Sequence, residues 1–130
     1  MAYEFSNYSV KVTLVAGGDL SAKQYNFVKL NSSGQAVVCA AATDLPIGIL
    51  QNNPTSGSEC EILITGGSKL VLGGTVAAGA IVSPSAAGAG VAVVHGTDTT
   101  KYAMGQAVTG GASGEIVTVV VNCSSAGRAT

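Results

Sequence analysis

Residues 59–74 read Glu-Cys-Glu-Ile-Leu-Ile-Thr-Gly-Gly-Ser-Lys-Leu-Val-Leu-Gly-Gly, and this stretch decides the fold class. Cys60, Ile62 and Ile64 alternate with Glu59 and Glu61, the period of two by which a half-exposed strand turns every second side chain to the core. Gly66-Gly67 is expected to end that strand, and Ser68 to Leu72 to form another before Gly73-Gly74. The pattern continues outward in both directions. Tyr8, Val10, Val12 and Leu14 alternate with Ser9, Lys11 and Thr13 ahead of Gly17-Gly18. Further strands are expected at Tyr25 to Leu30, Gln35 to Ala40, Ile47 to Gln51, Ala80 to Ser83, Val91 to Val94, Ala103 to Val108 and Glu115 to Asn122. Asn31-Ser-Ser-Gly34 supplies a turn, and only Asp19 to Gln24 and Thr99 to Met104 leave room for a helical turn. The expected class is all-β: a compact β-barrel or sandwich of short strands.

A chain of 130 residues fits one domain. We expect an N-terminal arm over 1–8, one β-barrel domain over 9–123 and a flexible C-terminal tail over 124–130. Hydrophobic residues make up 47% and charged residues only 10%, which excludes disorder, a state that goes with low hydrophobicity and high charge. A net charge of -1 provides no basic excess to neutralise phosphates, so no nucleic-acid partner is expected. Leu70 to Val94 carries no charge, but five glycines and Pro84 interrupt it, at roughly 1 kcal/mol per Gly and 3 per Pro in a helix interior, so no membrane span is expected either. The start, Met-Ala-Tyr-Glu-Phe-Ser-Asn-Tyr, has neither a basic n-region nor an apolar h-region, which points to synthesis in a cytoplasm. Cys39, Cys60 and Cys123 lie in strand-like apolar runs and are expected to be reduced and structural.

The chain resembles itself at a spacing of about 56 residues, the comparison that precedes any motif search. Gly17-Gly18 answers Gly73-Gly74, Phe27-Val28 answers Ile81-Val82, and Gly34 answers Gly88. Val37-Val38 answers Val93-Val94, Gly48 answers Gly105, and Glu61-Ile62 answers Glu115-Ile116. Two pseudo-repeated halves are expected to pack with approximate two-fold pseudosymmetry.

The chain offers little chemistry. His95, the one imidazole, sits in a polar turn with Asp98, and neither a nucleophile elbow nor a separate orienting carboxylate accompanies it. The three cysteines lack the close pairing of a structural zinc site. Gly88-Ala-Gly90 begins like a dinucleotide fingerprint, but Val93 stands at the third glycine position and no helix follows. Glu59 and Glu61 share one strand face as ordinary solvated acids. No enzymatic activity, cofactor or metal is expected.

Tyr3, Phe5 and Tyr8 are half of all aromatic residues, gathered in the first eight positions. One reading has them plug the open end of the barrel. The other makes them anchors of a short extended arm that docks on a partner surface.

The glycine-bounded segments Val-Ala-Gly-Gly-Asp19, Phe-Val-Lys-Leu30, Pro-Ile-Gly-Ile-Leu50, Gly-Gly-Thr-Val-Ala-Ala-Gly79 and Ala-Met-Gly-Gln-Ala107 resemble those of small tailed-phage capsid decoration, or cement, proteins. The resemblance runs from about Val10 to Val121. It implies a compact β-barrel, a homotrimer with a dimer as the other arrangement, on the outer capsid surface of a virion. There it would clamp subunits of the major capsid protein and stabilise the head, with Tyr3, Phe5 and Tyr8 of the arm as capsid-binding residues. The alternative of a different class is a receptor- or carbohydrate-binding β-module of a phage fibre or spike.

Overall fold

A computed structural model describes residues 9–130, the Ser125 side chain excepted. The fold is all-β, as the two-residue periodicity predicts. Its strands are β1 (Val10–Val15), β2 (Phe27–Leu30), β3 (Ala36–Val38), β4 (Gly48–Leu50), β5 (Glu59–Val71), β6 (Ile81–Pro84), β7 (Gly90–Val93), β8 (Tyr102–Ala103), β9 (Gly105–Ala107), β10 (Ile116–Asn122) and β11 (Gly127–Arg128). Nine of them form one curled antiparallel sheet in the order β3-β2-β4-β5-β10-β9-β6-β7, with β1 also on β5. Strands β8 and β11 pair separately. Short 3₁₀ turns occur at Ala86–Gly88 and Cys123–Ser125, whereas the two segments expected to have room for a helical turn form none.

One boundary expectation is corrected. Gly66-Gly67 does not end a strand, because both glycines stay in the ladder, Gly66 opposite Val121 and Gly67 opposite Val120. β5 therefore runs unbroken. Its first part pairs with β1 and β4, its second with β10. A glycine pair weakens a strand, but lateral hydrogen bonds from a neighbouring strand carry it through.

The halves repeat in topology. β1, β2, β3, β4 and the first part of β5 make the order β3-β2-β4-β5-β1; the second part of β5, then β6, β7, β9 and β10, repeat it as β7-β6-β9-β10-β5. Backbone hydrogen bonds recur pair by pair. Gly17 N–H donates to Ala36 O and Gly73 N–H to Gly90 O, each at 2.8 Å. Leu20 N–H donates to Pro54 O at 3.0 Å and Val76 N–H to Gly111 O at 2.9 Å. Gln51 N–H reaches Glu61 O at 2.7 Å and Val108 N–H reaches Thr118 O at 2.8 Å.

These bonds correct two of the sequence correspondences. Val37 and Val38 pair with Lys29 and Val28, as Val91 and Ala92 pair with Ser83 and Val82, so Val91-Ala92 is the counterpart rather than Val93-Val94. Glu61 matches Thr118, and Glu115 matches Ser58, since Ala16 N–H bonds Ser58 O as Leu72 N–H bonds Glu115 O. The connection from β7 to β9 is longer than that from β3 to β4, so no constant spacing aligns the whole chain, and runs of valine match themselves in several registers.

Two apolar clusters fill the interior. One is made of first-half residues alone: Ala16, Leu20, Val28, Ala36, Leu50, Cys60 and Ile62. Their second-half counterparts, among them Leu72, Val76, Val82, Ala107, Val117 and Val119, lie in the other cluster. That cluster also takes in Phe27, Cys39, Ile49 and Leu63 from the opposite face of the first half. The outer face of the first half is thus packed onto the inner face of the second.

The expected two-fold relation is not what this packing provides. A two-fold interface is reciprocal: if residue i meets residue j, the counterpart of i meets the counterpart of j. Gly88 abuts Phe27, with a Cβ there lying 2.6 Å from the Phe27 carbonyl oxygen, yet its counterpart Gly34 has nothing within 4 Å. Leu63 is 2% exposed, and its counterpart Val120 is 39% exposed. The halves are stacked head to tail.

Candidate functional site

The residues proposed from the sequence for attachment, Tyr3, Phe5 and Tyr8, lie outside the described residues. What the structure gives is the place where the arm joins: Ser9 sits against the middle of β5, its Oγ 2.7 Å from where a Gly66 Cβ would be.

His95 is exposed in the loop between β7 and β8. Asp98 in that loop holds the loop rather than the imidazole. Its carboxylate accepts the Val94 N–H at 2.8 Å and lies 3.3 Å from Lys101 Nζ. Asp44 does the same in the first half, accepting Ala40 N–H at 2.8 Å and pairing with Lys29 Nζ at 2.9 Å. The two aspartates are repeat counterparts. Both are held below the usual carboxylate range, first by the backbone N–H groups of Ala40 and Val94 and then by the lysines. The Glu59 and Glu61 pair is exposed on β5, and Glu61 meets Lys11 Nζ on β1 at 3.0 Å, an exposed pair that contributes at most about 1 kcal/mol.

The three cysteines are free and buried. Cys39 and Cys123 belong to the larger cluster and Cys60 to the smaller. Among the described residues no three metal-ligating side chains come together. Loss of solvation in the apolar interior pushes the Cys39 and Cys123 thiols up to about 12 and raises Cys60. Such thiols are poor nucleophiles in the folded state. A thiol reagent at pH 8 should therefore label none in the native protein and three per chain after denaturation, read by mass. The pH dependence follows from the same burial. In the unfolded chain the Cys39 and Cys123 thiols ionise near their ordinary 9.0, while in the folded protein they hold their protons to about 12. The unfolded state sheds protons first, so stability should fall as pH rises through that interval. Denaturant midpoints at pH 8 and 10.5 measure it, and Cys39→Ala with Cys123→Ala should flatten the slope.

An open groove of about 570 Å³ lies on the outer face of the second half, lined by Ile81, His95, Met104, Gly105, Gln106 and Val120 among others. Ile81, Gln106 and Val120 are the counterparts of Phe27, Ile49 and Leu63 by the matching strand pairings. The corresponding face of the first half is covered. The groove's walls are apolar and amide, with one imidazole at the rim, a surface suited to contact rather than to bond chemistry. Sequence reading missed it because nothing local distinguishes a strand face that a neighbouring half covers from one left open.

No protein-family model matches the chain, and no curated protein matches it by sequence. Solved structures do match. The fold is similar to that of a phage head-fiber base. In the crystal structure of the head fiber gp8.5 N base of bacteriophage phi29, the similarity covers 88% of this chain and 95% of that one, at a TM-score of 0.64 and 16% identity. At that identity the likeness establishes the shared fold, including both halves of the duplication, and leaves individual residues unassigned.

Proposed function

We propose that this chain is a structural protein of a phage virion that binds the outer surface of the head. In this reading it cements capsomers of the major capsid protein as a homotrimer and carries no enzymatic activity. The observation that carries it is the fold shared with the phi29 head-fiber base over 88% of the chain. The charge-poor composition, 10% charged residues, supports contacts that are largely apolar and weakly dependent on salt. Repetition over a shell lets modest contacts at each site add up without an active site.

The test uses Tyr3 and Phe5. Buried aromatic anchors are each worth roughly 2 kcal/mol or more at an interface, so deleting Met1 to Ser6 should weaken binding to undecorated heads by about a thousandfold. Melting of the free protein should not change. Equal binding by the truncated protein excludes the arm as the attachment element, and a much lower melting temperature shows that the aromatics belong to the core.

The second reading, a receptor- or carbohydrate-binding module of a fibre or spike, is favoured by the same neighbour, which is part of a fiber. Undecorated heads separate the two. A cement protein raises the temperature at which heads rupture; a fibre module leaves it unchanged.

A further inference from the structure

The internal interface leaves two surfaces behind, one on each half. On the second half, the outer face around Ile81, Gln106 and Val120 lacks the cover that its counterpart receives: Phe27 and Ile49 are 0% exposed, whereas Ile81 is half-buried and Gln106 exposed. On the first half, the inner rim lacks the cover that the second half receives. Val12, Leu14 and Ile47 are only partly buried there, whereas their counterparts Ser68, Leu70 and Met104 are 7%, 0% and 2% exposed. The edge of β1 repeats the theme. Val71 N–H donates to Tyr25 O across the interface at 2.9 Å. By the β1 register, the counterpart of that bond would run from Val15 to Gly79; among the described residues Val15 has no such partner, and Gly79 O takes Gln106 Nε2 at 3.0 Å instead.

We infer that the open outer face of the second half binds the open rim of the first half of a second copy, repeating the internal interface between chains. The occupant is a second copy because the rim that fits this face is already present in the molecule, with the same backbone pattern on both sides. Val15 and Val120, 45% and 39% exposed, are two of the large apolar residues left in solvent, and each has a more buried counterpart, Val71 and Leu63. The contact is heterologous, so it closes into a ring when the rotation allows; three chains would then present six quasi-equivalent halves. This inference rests on the homotrimer of the proposed function and assigns its interface.

Complementation of two half-interfaces tests it. Val120→Asp disables the second-half face, and Val15→Asp disables the first-half rim. Wild type should scatter light as a trimer at tens of micromolar, and each variant alone as a monomer. An equimolar mixture should give heterodimers, because each pair retains one intact rim and one intact face. An isologous contact produces no such rescue. If both variants remain trimeric, this interface is wrong while the trimer stands; if wild type is monomeric, both fall. A mixture that stays monomeric also overturns the head-to-tail assignment. Circular dichroism melting checks the fold, and Gln106→Arg, at an exposed position, repeats the second-half test should Val120→Asp unfold. Head binding is not used, so the outcome is independent of the virion reading.

Discussion

Replacing Gly105 with alanine is expected to leave little folded protein at 37 °C. A Cβ at Gly105 would overlap the carbonyl oxygen of Val120 and come within 2.7 Å of Val121 Cα, both backbone atoms of β10. A side chain can swing away from such an intrusion, but backbone in a ladder can move only by opening it. β10 is hydrogen-bonded on its other side to β5, so displacement spreads to the strand that joins the halves. We expect a loss of about 4 kcal/mol or more, which belongs with the large effects of overpacking and backbone strain and is a large fraction of the 5–15 kcal/mol of a typical domain. Gly48→Ala should do the same, because a Cβ there would overlap the carbonyl oxygen of Leu63, the counterpart of Val120. Gly18→Ala is the control, since no atom lies within 4 Å of its Cβ position, and its midpoint in urea should barely move. Tolerance of alanine at both Gly48 and Gly105 would show that the strands sit farther apart than described.

Phe27→Ala should cost about 3–5 kcal/mol, the usual range for emptying a large aromatic site in a packed core. Phe27 is fully buried and belongs to the cluster that the two halves build together, so its removal leaves a void that neither half can close alone. The comparison that gives the number meaning is Ile81→Ala. Ile81 occupies the same place in the second half but lies half-buried at the groove, and its truncation in a single chain should cost only about 1 kcal/mol. Urea unfolding of both variants, at concentrations where chains are separate, measures the pair. Equal losses would mean that the halves cover each other reciprocally, and the head-to-tail packing would then be wrong.

The alternation in Cys60, Ile62 and Ile64, the glycine punctuation and the paired Gly48 and Gly105 made the all-β class and the duplication legible from residues alone. Each is a local signal: side-chain direction alternates along a strand whatever it packs against, and a glycine demanded by a close backbone approach recurs when the unit recurs. Tertiary structure decided what depends on partners distant in sequence. It carried β5 through Gly66-Gly67, because both glycines stay in the ladder with β10, opposite Val121 and Val120. It shifted the match of Val37-Val38 to Val91-Ala92, since loop lengths alter spacing while ladder register is kept by hydrogen bonds. It also decided that Phe27 and Leu63 are core while Ile81 and Val120 face the groove. All four read as apolar strand residues. Burial is a property of what lies opposite a face, and the sequence of a strand does not contain its neighbour.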